Sequence, residues 1–409
     1  ISALQMLCED EENAFLTADF GGIEAVAQLM SIYDDDGTLQ MELVSLLMRI
    51  VARGARKNKE LLGKCNGIRQ VLEILSRYKE DLELQRKACE AIAVFVDECP
   101  NNKNVVKHED GCRLIVNCLE SFPSDPQIRM HCLWALAGLT FENDGNQQAV
   151  GSLAMPLLLK LASRDLKCFD AMLLLQILRN VTENNATNQM QLGMMGGIPL
   201  IVNLIERHSG QDEIFVAGCK ALSNTQYAET FHEAIYKCDG IRVLFDGFQN
   251  LLGQPDRLEV VTETLNAATA GSEGASREAK NLGIVPLLIE ALESYDSPGL
   301  QTCGLQILTG VSNLDEDAIF NVSGYGGVGV ALEALKEVKN TREVHEQAVK
   351  LLLSIARDDD CAKQIEEDCD IRQILENARA NAGRFSSIHQ DSELLLERTL
   401  GGEDRPGLI

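Results

Sequence analysis

Hydrophobic residues recur at intervals of three and four positions between Gly196 and Asn224, in two segments separated by Ser209-Gly210. This spacing places apolar side chains on one face of a helix. The stretch therefore predicts two amphipathic helices joined by a short turn, an αα-hairpin. The apolar positions are Ile198, Ile201, Val202, Leu204 and Ile205, then Ile214, Phe215, Ala217, Ala221 and Leu222.

The same hairpin recurs along the whole chain. A two-residue opening, in most cases a glycine followed by an apolar residue, introduces the first helix at successive steps of 43 to 45 residues. The core of the second helix repeats in register with it, at steps of 42 to 45 residues. Two markers that keep one period predict an all-α solenoid. The openings are Gly22-Ile23, Gly67-Ile68, Gly111-Cys112, Ala154-Met155, Gly197-Ile198, Gly240-Ile241, Gly283-Ile284, Gly327-Val328 and Asp370-Ile371.

A third, shorter helix is predicted before many of these openings. An Asn at its start suits an N-cap, because the side-chain oxygen accepts a free backbone N–H. The glycine after it suits a left-handed residue that stops the helix. Three helices per unit favour armadillo over two-helix HEAT repeats, which share this range of periods. The short helices are Asn58 to Lys64, Asn102 to Lys107, Asn146 to Val150, Asn188 to Met194, and Ala318 to Val322.

Two stretches resemble armadillo repeats directly. Gly196-Gly197-Ile198-Pro199-Leu200-Ile201-Val202 is similar to the opening of the armadillo second helix, and Cys132-Leu133-Trp134-Ala135-Leu136-Ala137-Gly138-Leu139 to the core of the third. The resemblance implies a right-handed α-solenoid of about nine three-helix repeats. We expect one solenoid domain over residues 1–400 and a C-terminal tail over residues 401–409.

Some places depart from the regular repeat. Ser2 to Glu9 matches the core of a third helix, so the chain begins inside a repeat and we expect more helices before Ile1 in a larger protein. In the fourth repeat, Ser152-Leu153-Ala154-Met155-Pro156 replaces the glycine opening. The last repeat has a longer turn around Ala382-Gly383 and a more polar final helix, which suits a terminal cap.

Charge narrows the range of partners. The net charge is −25, from 62 acidic and 37 basic residues. This argues against a general nucleic-acid binder, whose affinity depends on Lys and Arg that neutralise phosphates, and it is compatible with a basic protein partner. No segment is apolar and long enough to predict a membrane span. The 13 cysteines form no CxxC pair, and their positions among apolar residues predict reduced thiols in the cytosol or nucleus, with no metal.

The armadillo resemblance implies a concave groove lined by the third helices, where the importin-α-like members use a Trp and an Asn one turn later to hold an extended peptide. Only one Trp and two Asn stand at those positions, and no repeat has both, which disfavours a nuclear-localisation-signal receptor. The groove candidates are Trp134, Gln176, Asn180, Lys220 and Asn224. The alternative is structural, since a lone Trp packs in a core and an Asn on a third helix bonds a neighbouring carbonyl.

A basic segment follows the first full repeat, and it is either a docking surface for an acidic partner or a solvated helix face. Its candidate residues are Arg49, Arg53, Arg56 and Lys57.

Nothing in the sequence predicts catalysis or a cofactor. The six histidines are scattered over different repeats, and no HExxH or nucleophile elbow is present. We therefore expect a non-catalytic scaffold or adaptor that binds an extended peptide or helix of a protein partner. The alternatives are a nuclear-transport-type cargo adaptor and a small-GTPase or chaperone-type regulator, which rest on analogy with the fold.

Overall fold

The computed structural model describes residues 1–52, 56–227, 230–336, 341–368, 371–382 and 387–399. These residues form 27 α-helices and no strand, as the repeat pattern predicts. The chain divides into two compact units, Ile1–Leu204 and Ile205–Ile409, and the boundary falls inside helix α14 (Gly197–Arg207). Four expectations lie outside the described residues: the tail at 401–409, the turn at Gly383, the opening residue Asp370, and Arg53 of the basic segment.

Within a repeat, we call the short helix before the opening the first helix, the helix after the opening the second, and the helix that follows it the third. The first unit contains one isolated third helix and then successive sets of first, second and third helices. Its helices are α1 (Ser2–Leu7), α2 (Glu11–Asp19), α3 (Gly22–Ile32), α4 (Gly37–Ala52), α5 (Arg56–Lys64), α6 (Gly67–Arg77), α7 (Leu82–Val96), α8 (Pro100–His108), α9 (Gly111–Ser121), α10 (Pro126–Thr140), α11 (Asp144–Ala162), α12 (Cys168–Thr182) and α13 (Ala186–Met194).

The second unit continues the same order of helices. Its helices are α15 (Asp212–Asn224), α16 (Phe231–Lys237), α17 (Gly240–Asn250), α18 (Pro255–Thr269), α19 (Glu273–Leu282), α20 (Ile284–Ser294), α21 (Pro298–Ser312), α22 (Glu316–Gly324), α23 (Gly327–Lys336), α24 (Arg342–Ile355), α25 (Asp359–Asp368), α26 (Ile371–Ala382) and α27 (Ile388–Thr399).

Within each unit, helices pack against others of their own repeat and against those of the next repeat, which is the contact pattern of a solenoid. In the first unit, the third helices α4, α7, α10 and α12 pack in succession, as do the second helices α3, α6 and α9. In the second unit the third helices α15, α18, α21, α24 and α27 do the same. The core of each unit is therefore a row of Leu, Ile, Val and Ala side chains between stacked helices.

Helix α7 shows how the sequence makes such an element. Asp81 caps it, since its carboxylate accepts the backbone N–H groups of Glu83 and Leu84, both at 3.1 Å. Leu84, Ala88, Ile92 and Phe95 then follow at steps of three and four and are buried. Full burial of one such Leu, Ile or Phe side chain contributes about 1.5–3 kcal/mol, so tertiary packing is what holds the helix.

The N-cap prediction is wrong for the Asn residues that begin the short first helices. Asn58, Asn102, Asn146 and Asn188 lie inside those helices and are buried. In two repeats the cap is three residues earlier: Asn143 and Asn185 accept the backbone N–H groups of Asn146 and Asn188, each at 3.0 Å.

The buried Asn side chains instead donate to main-chain oxygens of neighbouring helices. Asn102 Nδ2 lies 2.8 Å from the carbonyl oxygen of Phe95 and 2.8 Å from that of Lys59. Phe95 lies at the end of α7, and Lys59 lies on α5, the first helix of the preceding repeat. Asn146 likewise donates to Leu139 at 3.3 Å and Lys103 at 3.1 Å. One amide thus satisfies two carbonyls and ties successive repeats together.

The opening glycines also differ from expectation. In most repeats the left-handed residue is the one before the opening glycine: Gly21, Asn66, Asp110, Gly196, Asp239 and Gly326 all have positive φ. Gly283 is an opening glycine that is itself left-handed. The other opening glycines are required for close packing. A Cβ on Gly327 would lie 2.7 Å from the carbonyl oxygen of Val322 and 2.6 Å from its Cγ1.

The fourth repeat has no break where a first helix was predicted to end. Helix α11 is continuous over 19 residues, Asp144–Ala162, and it includes Pro156. Where the structure describes the corresponding turn of another repeat, that turn contains a left-handed Gly, Asn or Asp, whereas Ser152-Leu153-Ala154 offers no residue suited to that conformation. The first and second helices are therefore fused.

Within the described part of the chain, no single helix has the length and apolar composition to cross a bilayer, and one bent pair, Glu316–Gly324 with Gly327–Lys336, meets those criteria jointly.

Candidate binding groove in the first unit

A groove of about 630 Å³ lies along two successive third helices of the first unit, and we call it the Trp134 groove. Helices α10 and α12 form its floor, and the turns that lead into α8 and α11 form one side. Its lining residues are Arg56, Asp97, Glu98, Pro100, Lys103, Trp134, Ala137, Gly138, Phe141, Glu142, Phe169, Met172, Leu173, Gln176, Arg179 and Asn180.

Three of the five groove candidates lie in this groove. Trp134 on α10 and Gln176 on α12 are both half-buried, so each presents part of its side chain to a ligand. Gly138, one helical turn after Trp134, also lines the groove. Because glycine has no side chain, the indole face is not shielded from that side. The Trp134 groove therefore combines a flat aromatic surface with an amide that donates and accepts hydrogen bonds.

Asn180 lines the groove, but its side-chain amide is hydrogen-bonded to helix α10. It is buried, and its Nδ2 donates to Thr140 Oγ1 at 3.2 Å and to the carbonyl oxygen of Ala137 at 3.5 Å. Thr140 and Ala137 belong to α10. Asn180 therefore fixes α12 against α10, and direct contact of its amide with a ligand stays a prediction.

Two exposed phenylalanines in the groove were not identified from the sequence. Phe141 is 48% exposed and Phe169 is 47% exposed. Phe141 directly follows α10, and Phe169 lies in the first turn of α12. Apolar side chains of this size in a concave surface are the groups that gain most when a partner covers them. The repeat register indicated only the Trp and Asn positions at the middle of each third helix. It therefore missed the two phenylalanines at the helix ends.

Lys103 holds the end of α10 in place. Its ammonium donates to the carbonyl oxygen of Phe141 at 2.6 Å and lies 5.1 Å from the centroid of the Phe141 ring. Burial lowers the pKa of the Lys103 ammonium, and the nearby carboxylates of Glu142 and Asp97 oppose that effect. The Lys103 ammonium therefore already interacts with groups of the protein itself.

Two acidic residues at equivalent turns flank the groove. Glu98 and Glu142 have φ values of 49° and 51°, the left-handed region that costs a non-glycine residue roughly 1–3 kcal/mol. Among the described residues, neither carboxylate forms an ion pair. The Trp134 groove therefore places two carboxylates beside its aromatic floor, and both are available to a basic group.

The other two groove candidates belong to the second unit. Lys220 on α15 is half-buried, and its charge partly offsets the burial that raises the pKa of the Glu263 carboxyl on α18. Asn224 is the last residue of α15 and is also half-buried. The Trp134 groove is lined by residues of the first unit only, so these two residues do not contribute to it.

The described residues of the basic segment are paired with acidic residues. Arg49 pairs with Glu9 at 2.6 Å, and Lys57 pairs with Asp19 at 3.0 Å. Arg56, which also lines the Trp134 groove, pairs with Glu60 at 3.1 Å. The acidic partners of Arg49 and Lys57 lie about one repeat earlier in the chain. A sequence window cannot show such pairing, and docking of an acidic partner here stays a prediction.

No protein-family model matches the chain, and no curated protein matches it. Solved structures do share its fold. The crystal structure of an engineered protein is similar with a TM-score of 0.80 and 20% identity, over 98% of this chain and 95% of the other. A chain from a structure concerned with a phosphorylation switch in the interaction between cadherin and β-catenin has a TM-score of 0.77 and 15% identity, over 97% and 90%. At these identities the similarity shows the fold, an α-helical solenoid.

Proposed function

We propose that this chain is a non-catalytic armadillo-type scaffold that binds an extended segment of a protein partner in the Trp134 groove. The observation that carries the proposal is the exposure of Phe141 and Phe169 beside the half-buried Trp134 in one concave surface. The similarity to a structure of the cadherin and β-catenin interaction supports protein binding as the role of this fold.

The shape and composition of the groove indicate the kind of segment that it accepts. Trp134, Phe141 and Phe169 suit one or two apolar side chains of the partner, because burial of such groups dominates interface energies. Gln176 suits the main chain of an extended peptide, whose N–H and C=O groups need partners when they leave water. Glu98 and Glu142 suit a Lys or Arg close to the apolar anchor.

This specificity differs from recognition of a highly basic peptide. The groove has carboxylates at Asp97, Glu98 and Glu142, but it also has the cations Arg56, Lys103 and Arg179. A run of several Lys or Arg would encounter both signs of charge. We therefore expect an apolar anchor with a single neighbouring basic residue, and modest sensitivity to salt.

A peptide selection tests the proposal even though the natural partner is not identified. A library of displayed peptides is selected on the whole protein, and the enriched sequences are synthesised and titrated. We expect an aromatic or branched apolar residue next to Lys or Arg. Trp134→Ala and Phe169→Ala should each weaken binding by about tenfold or more, as for the central residues of an interface.

The matched control is Phe320→Ala, since Phe320 is 49% exposed but lies on α22 in the second unit. It should leave the affinity unchanged. Thermal melting of each variant shows that the fold is retained. Selected peptides that bind all three variants as they bind the wild type would place recognition outside the Trp134 groove.

A further inference from the structure

Three cysteine thiols meet in the core of the first unit, and none of them lines the Trp134 groove. They come from three helices of two successive repeats: Cys89 on α7, Cys118 on α9 and Cys132 on α10. The Sγ atoms of Cys89 and Cys118 are 3.7 Å apart, and those of Cys89 and Cys132 are 3.5 Å apart. All three sulfur atoms lie within 4.8 Å of one another and are buried.

No pattern in the sequence indicates this cluster. Cys89 and Cys132 occupy third helices one repeat apart and resemble small apolar residues of the core, whereas Cys118 lies on a second helix. No two of the three are close in sequence, so the spacing rules for metal-binding cysteines do not detect them. Only the stacking of one repeat on the next brings the sulfurs together.

The distances suit three ligands of one small ion. With metal–sulfur bonds of about 2.3 Å, the sulfur atoms of a tetrahedral or trigonal site are about 3.8–4.0 Å apart. The separations of Cys89 from Cys118 and from Cys132, 3.7 and 3.5 Å, need to grow by only a few tenths of an ångström. Sulfur ligands select soft ions, namely monovalent copper, zinc or iron–sulfur clusters.

The number of ligands favours monovalent copper. Structural zinc sites, in which the protein supplies every ligand, are almost always four-coordinate. In the described part of the chain, no fourth Cys, His, Asp or Glu joins this group. Cys112, which is also on α9, does not join the group, and its thiol donates to Asn146 Oδ1 at 3.4 Å. Monovalent copper is stable with two or three thiolate ligands and needs no water in an apolar core.

We propose that Cys89, Cys118 and Cys132 form a binding site for a single monovalent copper ion. The ion replaces thiol protons, which leave to solvent. Two thiolates and one neutral thiol around the ion give a net charge of −1, which limits the cost of burying charge. The ion joins α7 to α9 and α10, so it links one repeat to the next.

Burial determines how the ion enters. Cys89 and Cys132 have no exposed surface and Cys118 is 3% exposed, so loading requires folding around the ion or a local opening of the two repeats. A site assembled only in the native state stabilises that state when it is occupied. Copper should therefore raise the melting temperature of the protein.

The test uses the reduced chain of residues 1–409, refolded without oxygen in the presence of monovalent copper held as a bicinchoninate complex. We expect each chain to take one equivalent of copper from the chelator, with a sulfur-to-copper absorption band in the ultraviolet and a raised melting temperature. Cys118→Ala and, independently, Cys89→Ala should lose that equivalent. Cys219→Ala is the matched control, since Cys219 is also buried on a third helix but lies outside the cluster.

Three results would overturn the proposal. If the wild type takes no copper from the chelator, the thiols only pack against one another. If copper binds equally to the wild type and to both cluster variants, it binds elsewhere. Tight binding of one zinc ion with no copper uptake would contradict the assignment of copper. Because uptake by the wild type is measured directly, the test does not depend on the folding of any variant.

Discussion

Lys103 contacts both the main chain and the side chain of Phe141. Its Nζ lies 2.6 Å from the carbonyl oxygen of Phe141 and 5.1 Å from the centroid of the ring. Helix α8, the first of its repeat, thereby fixes the end of the third helix α10. The ring of Phe141 is held in the Trp134 groove while half of its surface stays exposed.

The burial of Lys103 predicts a specific dependence of stability on pH. Its folded-state pKa is lowered from 10.5, mainly by desolvation. Between that lowered pKa and 10.5, the unfolded chain binds more protons than the folded chain, so this residue makes folding more favourable as pH rises through the window. The unfolding free energy of the wild type minus that of Lys103→Met should therefore increase with pH in alkaline solution.

Urea denaturation of both proteins at several pH values between about 7.5 and 10.5 measures this difference, which isolates Lys103 from other titrating groups. A difference that stays constant, or that falls as pH rises, would show that the Lys103 ammonium is not destabilised by burial.

Two glycines of helix α23 should respond to alanine in opposite ways. A Cβ on Gly327 would lie 2.7 Å from the carbonyl oxygen of Val322, whereas a Cβ on Gly329 would meet nothing within 4 Å. Gly327→Ala should destabilise the protein by about 1–3 kcal/mol through overpacking. Gly329→Ala should stabilise it by up to about 1 kcal/mol, because alanine favours the helix.

Chemical denaturation of both variants checks these signs. Because the two positions are in the same helix and two residues apart, each serves as the control for the other. Equal effects at the two positions would contradict the close approach of α22 and α23 at Gly327.

The buried Asn102 should contribute much more to stability than the exposed Asn104 on the same helix. Asn102 donates to the buried carbonyl oxygen of Phe95 and to the part-buried carbonyl oxygen of Lys59, and its replacement by alanine removes both hydrogen bonds. A buried acceptor without a partner costs about 1–3 kcal/mol. Asn102→Ala should therefore destabilise the chain by at least about 2 kcal/mol, and Asn104→Ala by less than about 0.5 kcal/mol.

Denaturation midpoints and slopes for the two variants distinguish these values. A small effect of Asn102→Ala would mean that the amide is not the link between α5, α7 and α8 that its hydrogen bonds indicate.

The sequence predicted the fold well because periodicity is a local property. Gly197 and its equivalents mark the start of the second helix in most repeats, and the helices there begin and end close to the expected residues. The errors concern single residues whose roles depend on neighbouring repeats. Asn102 and Asn146 were predicted as caps, yet they donate across a repeat boundary. Gly327 was predicted as a helix stop, yet glycine is needed there because Val322 leaves no room for a Cβ atom.

The candidate site was predicted only in part, for the same reason. Trp134 and Gln176 lie in the groove because the repeat register fixes which face of a third helix they share. Phe141 and Phe169 were missed because they lie at helix ends, where the register does not specify side-chain direction. The neutralisation of Arg49 by Glu9 depends on residues one repeat apart, which no local pattern reveals.

Site-specific photo-cross-linking shows whether a partner occupies the Trp134 groove. Benzoylphenylalanine is incorporated at position 169 in the groove or at position 320 outside it, where the natural Phe side chains are 47% and 49% exposed. Each protein is irradiated in native extract, and adducts are identified by mass spectrometry. We expect a specific protein adduct at position 169 that is absent at position 320 and lost when Trp134→Ala is added. Identical adducts at both positions, or adducts at position 169 that persist with Trp134→Ala, would contradict binding in the Trp134 groove.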